Sequence, residues 1–219
     1  MKLVIGNKNY SSWSMRPWVA LREARIPFEE VLLKFGADGK PVGVAAWSPT
    51  RKVPSLVLDE GEVVWDSLAI CETVAELHPE KALWPADPAA RRAARAVCAE
   101  MHSGFQALRE QLVMNIRARH PGKGINGDSR KDIDRVVEIW LSCRARFGAG
   151  GELLFGAFSI ADAFYAPVVT RFETYGVALP AVAQAYCEAV RRLASVREWT
   201  EAALRETELV PADEPYAAR

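Results

Sequence analysis

Three serine residues lie close together near the N-terminus, in the segment NYSSWSMRPW, where a strand pattern gives way to a helical one. Ser11, Ser12 and Ser14 each carry a hydroxyl that can donate one hydrogen bond and accept others. The simplest role for such a residue is to cap the helix that follows. The alternative is that one hydroxyl points at a reactive group bound where the strand ends. The spacing alone leaves both roles open.

A second polar pair, Asp66 and Ser67, directly precedes an apolar helical pattern. Free N–H groups at a helix N-terminus favour anions, and a serine hydroxyl beside them fits a small carboxylate. The acidic side chain of Asp66 could hold the accompanying ammonium group. Together the two residues would suit the zwitterionic end of an amino acid, although either could simply cap its helix.

A third feature is the dipeptide Val53-Pro54, which stands just before the apolar run SLVLD. Proline cannot donate to a β-ladder, so it belongs at the start of a strand or at an edge. If the peptide bond is cis, the turn exposes the backbone N–H and C=O of Val53, which could then pair with an extended peptide. An ordinary trans proline at the start of a strand is the alternative.

The elements that must position these residues are predicted from the first third of the chain. KLVIG and FEEVLLKF are typical of strands, and VPSLVLDEGEVVWD is typical of a β-hairpin. Helical spacing predicts one helix over Trp13–Ala24, with Arg16 and Glu23 on its outer face, and a second from Ser67 to about His78. This order predicts an α/β domain over residues 1–78 with a mixed four-stranded sheet.

After residue 78 the pattern changes. Three prolines, Pro79, Pro85 and Pro88, indicate a linker over residues 79–88. No convincing strand follows, so residues 89–219 are predicted to form an all-helical domain. The predicted helices are Ala89–Arg119, Asp128 or Ser129 to Phe147, one beginning at Ser159, Ala181–Leu193 and Val196–Thr207. The segment SIAD at Ser159 has the form of a capping box.

Composition restricts the class of protein. The 219 residues include 28 lysines and arginines and 28 aspartates and glutamates, so no whole-protein field would gather nucleic acid or an anionic membrane. No run of consecutive apolar residues is long enough to span a membrane, and the N-terminal apolar run is too short for a signal peptide. The cysteines are far apart, which favours neither a metal site nor a redox pair. We expect a cytoplasmic protein with buried, reduced thiols.

In chain order, the serine-rich turn, KVP, the DS pair and the proline-rich linker resemble the cytosolic glutathione transferase superfamily. NYSSWSMRPWVAL is most similar to the serine-type turn of the zeta and related bacterial classes. WSPTRKVPSL resembles the family segment N-P-x-x-x-V-P-x-L, with Ser48 in place of asparagine. VVWDSLAI resembles its E-S-x-A-I signature, with Asp66 in place of glutamate, and FSIADAFYAP resembles the capping box of its sixth helix.

The resemblance implies a thioredoxin-like N-terminal domain followed by a helical C-terminal domain, and a cis bond between Val53 and Pro54. It also implies a homodimer that takes glutathione as co-substrate. Lys52, Val53 and Pro54 would contact the cysteinyl-glycine part of glutathione. Asp66 and Ser67 would take its γ-glutamyl end.

By the same resemblance Ser11 is the catalytic hydroxyl, with Ser12 as its closest competitor. Tyr10 keeps a lesser claim, because other classes of the family use a tyrosine at this strand end. Trp13 stands where zeta-type sequences place a cysteine, so chemistry that depends on an enzyme thiol is not expected. Ser14 is interpreted as a capping or packing residue. Arg16 is interpreted as a solvated or ion-paired helix residue, and the alternative is that it lies near the bound thiolate.

A serine can make glutathione reactive without becoming the nucleophile. A free thiol has a pKa of about 8.5, and lowering it by about two units requires roughly 2.7 kcal/mol of preference for the thiolate. A hydrogen bond to a charged partner supplies about 1.5–3 kcal/mol. The helix N-terminus adds about 0.3–1 kcal/mol. Ser11 is therefore predicted to donate a hydrogen bond to the thiolate and to keep its own proton.

The predicted function is a glutathione transferase that conjugates glutathione to small hydrophobic electrophiles. One alternative is a glutathione-dependent isomerase of the maleylacetoacetate type, and peroxidase or dehalogenase activity is also open. A catalytically silent interaction module is the alternative from another class. His102 falls in a series of apolar helical positions that mostly indicates packing, and part of this series could line the electrophile pocket.

Overall fold

The computed structural model describes residues 1–216, and these contain four strands and eight α-helices. The strands are β1 (Lys2–Gly6), β2 (Glu29–Leu33), β3 (Ser55–Val57) and β4 (Val63–Val64). The helices are α1 (Ser12–Glu23), α2 (Ser67–Leu77), α3 (Pro88–Ser103), α4 (Gln106–Gln111), α5 (Gly127–Phe147), α6 (Ile160–Tyr175), α7 (Ala181–Arg192) and α8 (Ala194–Arg205). The last three residues of the predicted C-terminal domain, 217–219, lie outside the described residues.

The strands form one mixed sheet in the order β2-β1-β3-β4. β1 runs parallel to β2, with Val4 opposite Val31, and antiparallel to β3, with Leu3 opposite Leu56. Strands β3 and β4 pair in antiparallel fashion. A parallel pair needs a crossover, which α1 supplies, whereas the β3–β4 hairpin needs only a short turn. The predicted mixed four-stranded sheet and the helical remainder of the chain are both confirmed.

Helix α1 is buried on almost every side. It packs against β1 and α2 and also against α6 and α8 from the second half of the chain. Ser12 and every residue from Ser14 to Leu21 are buried, including Arg16, whose exposed fraction is 1%. The prediction that Arg16 lies on the outer face of this helix is therefore wrong. The pattern within α1 could not reveal this, because the covering helices lie more than a hundred residues further along the chain.

The predicted capping box at the start of α6 is present. The Asp162 carboxylate accepts hydrogen bonds from the backbone N–H groups of Ser159 (2.9 Å) and Leu154 (3.1 Å). It also accepts from the hydroxyls of Ser159 (3.1 Å) and Tyr186 (3.3 Å). Burial raises the pKa of Asp162 to about 6, while these donors act in the opposite direction. This carboxylate ties the start of α6 to α7 and to the loop before it.

Substituting Asp162→Ala is expected to lower the free energy of unfolding by about 3–5 kcal/mol, because each buried donor left without an acceptor costs about 1–3 kcal/mol. Urea denaturation would measure the loss. Asp134, exposed on α5, is the matched control, and Asp134→Ala should change stability by less than about 0.5 kcal/mol. Equal losses in the two variants would contradict the structural role given to Asp162.

The prediction of one long helix over Ala89–Arg119 is wrong. Helix α3 ends at Ser103, α4 covers only Gln106–Gln111, and irregular chain follows. A Cβ on Gly104 would lie 2.9 Å from the Glu100 carbonyl oxygen, and Phe105 adopts a left-handed conformation with φ of 60°. Arg109 turns back to donate to the Gly104 carbonyl oxygen at 2.9 Å, which stabilises the carbonyl end of α3.

Other helix ends differ from the prediction by a few residues. Asn126, and not Asp128 or Ser129, caps α5, because its side chain accepts from the backbone N–H groups of both of those residues. Helix α3 begins at Pro88, and α8 covers Ala194–Arg205 in place of the predicted Val196–Thr207. These shifts leave the order of elements unchanged.

All four cysteines are free and buried, as predicted. Within residues 1–216 no helix is long and apolar enough to cross a membrane. In the same part of the chain, no three His, Cys, Asp or Glu side chains are grouped so that they could hold a metal ion.

Candidate functional site

Ser11 stands at the N-cap of α1, but its hydroxyl makes no capping hydrogen bond. Its Oγ lies 2.7 Å from the Oγ of Ser14, and the Ser14 Oγ in turn accepts a hydrogen bond from the Gly6 backbone N–H at 3.1 Å. Ser14 is fully buried, whereas Ser11 retains an exposed fraction of 6%. The Ser11 hydroxyl is therefore held from the inner side by Ser14 and is not used to cap the helix.

Ser12 has a different partner. Its Oγ accepts a hydrogen bond from the Arg171 guanidinium at 3.1 Å, and the same guanidinium donates to the carbonyl oxygens of Leu112 and Arg109. Burial lowers the pKa of Arg171 to about 10, with Arg109 acting in the same direction, so Arg171 is still cationic at neutral pH. Ser12 thus links α1 to helices α4 and α6.

Tyr10 is engaged by residues from the second half of the chain. Its hydroxyl donates to Glu214 Oε1 at 2.6 Å and accepts from Arg117 at 2.9 Å. Burial, followed by the hydrogen bond to Glu214, raises the pKa of Tyr10. Nearby, Glu206 accepts from the backbone N–H groups of Lys8 (2.6 Å) and Asn9 (3.0 Å). No local sequence signal predicted this return of the C-terminal segment onto the serine-rich turn.

The Val53–Pro54 peptide bond is cis, as the resemblance implied. Among the hydrogen bonds of residues 1–216, none involves the backbone N–H or C=O of Val53, because β3 begins two residues later at Ser55. The Val53 side chain packs beside Gly6, where an added Cβ would lie 3.2 Å from Val53 Cγ2. Val53 therefore lies next to the strand end that also contacts Ser14, and the neighbouring Lys52 is exposed.

Asp66 and Ser67 lie at the start of α2. Asp66 caps the helix through Oδ1, which accepts from the Leu68 backbone N–H at 3.1 Å. Its Oδ2 lies 3.2 Å from His102 Nε2. Ser67 is fully buried, and its Oγ accepts from the Arg16 guanidinium at 3.4 Å. The two predicted ligand-binding residues are thus each supported by a side chain from another helix.

Arg16 is an unpaired buried cation. Its guanidinium is stacked between the rings of Trp13 (4.2 Å) and Phe164 (4.9 Å). Its only hydrogen bond within residues 1–216 is the one to Ser67, and its buried Nε has no partner there. Burial, together with the charges of Arg109 and Arg171, lowers the pKa of Arg16 to about 9. A buried charge without a counter-ion is costly, so this geometry suits the arrival of an anion beside Ser67.

His102 lies across from the same helix start. Its ring meets Trp13 edge-on at 5.1 Å, and its Nδ1 is buried without a partner among residues 1–216. Burial lowers the pKa of His102, with Arg16 and Arg109 acting in the same direction and Asp66 against them. His102 is therefore neutral at neutral pH, with its Nε2 lying 3.2 Å from Asp66 Oδ2.

Sequence reasoning missed the support behind these residues. It placed Arg16 on the outer face of α1, with a position near the bound thiolate as the alternative. It interpreted Ser14 as a cap or packing residue and assigned no role to Arg171. The S-x-R spacing that places Arg16 two residues after Ser14 was the one available signal. It does not distinguish a buried arginine from an exposed one.

Family comparisons agree with this architecture. The chain matches the family model of the glutathione S-transferase N-terminal domain over residues 10–77 and that of the C-terminal domain over residues 88–202. The chain belongs to the glutathione S-transferase family, and the resemblance found in its motifs is confirmed.

Relatives with curated names include several maleylacetoacetate isomerases. The chain is 27% identical to maleylacetoacetate isomerase from Pseudomonas aeruginosa over 187 residues, which cover 83% of this chain and 85% of the relative. It is 31% identical to a probable maleylacetoacetate isomerase from Caenorhabditis elegans over 160 residues, which cover 70% and 72%.

Solved structures show the same fold. A maleyl pyruvate isomerase, described as a bacterial glutathione S-transferase of the zeta class, aligns with a TM-score of 0.70 and 22% identity over 95% of this chain and 100% of that one. A glutathione transferase homologue from Burkholderia with bound glutathione aligns with a TM-score of 0.68 and 23% identity, covering 92% and 96%.

Proposed function

We propose that this protein binds glutathione at the start of α1 and α2 and transfers its thiolate to a small electrophile. The observation that carries the proposal is the buried, unpaired Arg16 beside Ser67, because it marks a position where an anion would relieve an uncompensated charge. Val53, Ser11 and Ser67 lie in the same part of the molecule. Gly6 lies beside both Val53 and Ser14, Ser11 stands at the N-cap of α1, and Arg16 within α1 contacts Ser67.

Each part of glutathione has a matching group. The γ-glutamyl carboxylate would accept from the Ser67 hydroxyl and the free N–H groups of α2, with Arg16 behind them. Its ammonium group would pair with Asp66. The free backbone N–H and C=O of Val53, which precedes Pro54, would bind the peptide as an added strand does. Lys52 is exposed and would face the glycine carboxylate.

The sulfur would then lie at the Ser11 hydroxyl. Donation from Ser11, assisted by the positive N-terminus of α1, stabilises the thiolate relative to the thiol. The thiolate attacks the electrophilic carbon, a carbon–sulfur bond forms, and the leaving group departs with its electron pair. Ser11 keeps its proton throughout and acts only by hydrogen bonding.

A glutathione-dependent isomerase is a second candidate, and the charge beside Ser12 favours it. Arg109, Arg117 and Arg171 surround the serine-rich turn, which suits an electrophile that carries a carboxylate. The thiolate would add to a carbon–carbon double bond conjugated to a carbonyl group, rotation about the resulting single bond would follow, and expulsion of the thiolate would restore the double bond. The curated relatives named maleylacetoacetate isomerase support this reading.

We infer a cytoplasmic homodimer that contributes to detoxification. Trp65, just before α2, and Leu77, its last residue, are exposed by 46% and 51%. Large apolar side chains at a surface suit an interface between subunits. Sedimentation velocity would measure the oligomeric state, and a monomer at micromolar concentration would remove the homodimer from the proposal.

Calorimetric titration with glutathione tests the core of the proposal. We expect saturable binding to the wild-type protein and a weaker affinity in Ser67→Ala. Turnover of chlorodinitrobenzene, a neutral electrophile, and of maleylacetone, a carboxylate-bearing one, would separate the transferase from the isomerase. Absence of glutathione binding would overturn the proposal, and binding without turnover of either compound would favour a catalytically silent module.

The affinity for glutathione is expected to weaken by about three- to fivefold as pH falls below about 6.5. The pKa of His102 is lowered, so His102 is neutral above this range and gains a proton only on the acid side. Protonated His102 would then compete with the substrate ammonium for Asp66, while Arg16 and Arg109 are the other charges around it. Calorimetry across this pH range measures the effect.

His102→Gln keeps an N–H donor and cannot titrate, so its affinity should be independent of pH over the same range. His78, at the other end of α2, is the matched control, and His78→Gln should retain the wild-type dependence. An identical pH dependence in His102→Gln and the wild type would show that another group is responsible.

A further inference from the structure

The Ser14 hydroxyl is enclosed between two polar neighbours. Its Oγ lies 3.1 Å from the Gly6 backbone nitrogen and 2.7 Å from the Ser11 Oγ. Ser14 has no exposed surface, and no other hydrogen-bond partner of its hydroxyl is found within residues 1–216. Within residues 1–216, the Ser14 hydroxyl therefore forms hydrogen bonds only with Gly6 and Ser11.

Proton counting fixes the direction of the contact between the two serines. The Gly6 N–H can only donate, so the Ser14 Oγ accepts from it. Ser14 has one proton of its own, and the Ser11 Oγ is the acceptor available to it. If Ser11 donated instead, the Ser14 proton would be fully buried without an acceptor, which native structures avoid. Ser14 therefore donates to Ser11.

A donor that receives a hydrogen bond becomes a better donor itself. In the sequence Gly6 N–H, Ser14 O–H, Ser11 O–H, the two hydrogen bonds run in the same direction, and the first polarises the second. Ser11 is the last member, and its proton has no acceptor among the described residues. The proton is thus free to point outward at a ligand.

We propose that Ser14 is a positioning residue for the thiolate: it orients the Ser11 hydroxyl so that the Ser11 proton is directed at the glutathione sulfur. This inference rests on the proposed glutathione-binding function and deepens it. It assigns Ser14 an indirect effect on the reacting atom through Ser11. Ser12 has a different donor behind it, the guanidinium of Arg171 from α6.

The test is the pKa of the thiol of bound glutathione, followed through the ultraviolet absorbance of the thiolate. Ser14→Ala should raise this pKa by roughly half a unit, a fraction of the shift in Ser11→Ala, because it removes the orienting bond and not the donor itself. Ser14→Thr keeps the hydroxyl and should restore the wild-type value. In a Ser11→Ala background, Ser14→Ala should produce no further shift, since the intermediate group is gone.

Two controls separate positioning from stability. Ser195 is another buried helical serine, bonded to Glu23 at 2.7 Å, and Ser195→Ala should leave the thiol pKa unchanged. S-methylglutathione carries no ionisable thiol, so its affinity should be the same for Ser14→Ala and the wild type. If Ser14→Ala does not fold, Ser14→Cys, with its weaker donor, replaces it and should show the higher thiol pKa relative to Ser14→Thr.

These measurements test the role of Ser14 separately from the proposed glutathione site. An unchanged thiol pKa in Ser14→Ala, with a raised one in Ser11→Ala, would overturn the role of Ser14 alone. Additive shifts in the double variant would do the same. If glutathione does not bind the wild-type protein, or if neither Ser11→Ala nor Ser14→Ala moves the pKa, the proposed site itself is wrong.

Discussion

Substituting Ser11→Ala is expected to raise the pKa of the bound glutathione thiol by about one to two units, because it removes a hydrogen bond to a charged group worth about 1.5–3 kcal/mol. From a starting pKa of about 6.5, the thiolate fraction at pH 7 would fall by roughly three- to twenty-fivefold, and kcat/KM with it. The pH–rate profile would show the loss at neutral pH and its recovery at alkaline pH, where the thiol ionises without assistance.

Ser12→Ala is the matched control for this prediction, because Ser12 is the neighbouring residue and its hydroxyl is bonded to Arg171 at 3.1 Å. We expect its thiol pKa to stay close to that of the wild type. If Ser12→Ala gives the large shift and Ser11→Ala does not, then Ser12 is the donor. A rate loss that persists at alkaline pH would indicate that Ser11 acts on something other than ionisation.

Substituting Arg16→Met is expected to weaken glutathione binding by about 30- to 100-fold, since removing one side of a buried charge interaction costs about 2–3 kcal/mol or more. The same change should stabilise the ligand-free protein by about 1–4 kcal/mol. Burial lowers the pKa of Arg16 to about 9, so at neutral pH, below its folded and unfolded values, the full cost of burying the charge is present. Calorimetry and urea denaturation would measure the two effects.

Ligand analogues show which part of glutathione Arg16 serves. γ-Aminobutyryl-cysteinylglycine lacks the α-carboxylate, so its affinity should be nearly equal for Arg16→Met and the wild type. Glutaryl-cysteinylglycine lacks the ammonium group and should still lose affinity in the variant. Arg22 on the same helix pairs with Glu198 at the surface, and Arg22→Met should leave binding unchanged. An equal loss for all three ligands would show that Arg16 supports the fold and not the carboxylate.

We expect Arg16→Met to weaken glutathione binding and to stabilise the ligand-free protein, and this combination would distinguish a ligand-binding arginine from a structural one. A buried arginine between Trp13 and Phe164 gains cation–π attraction but lacks a carboxylate within residues 1–216. The fold keeps a charge that would be more stable elsewhere. An anion-binding site would account for this arrangement, because its ligand would supply the missing counter-ion.

The elements that could be predicted from the sequence are those whose signals come from neighbouring residues. KLVIG, the hairpin and the SIAD capping box each depend on residues within a few positions of one another, and all are present in the structure. The same holds for the motifs that identified the family, because Ser11, Val53-Pro54 and Asp66-Ser67 stand at turns and helix starts with recognisable spacing. Family membership followed from their order along the chain.

The contacts that support these residues are visible only in the folded structure. Arg16 is buried because α6 and α8 cover a helix that is already packed on the sheet. The residues of α1 do not by themselves predict this second layer of helices. Helix α3 ends at Ser103, where Phe105 adopts a left-handed conformation and Arg109 turns back to the Gly104 carbonyl oxygen, although the sequence continues a helical pattern. The bond from Tyr10 to Glu214 joins residues 204 positions apart. Such contacts arise only when distant elements pack together, so periodicity, capping and turn chemistry cannot reveal them.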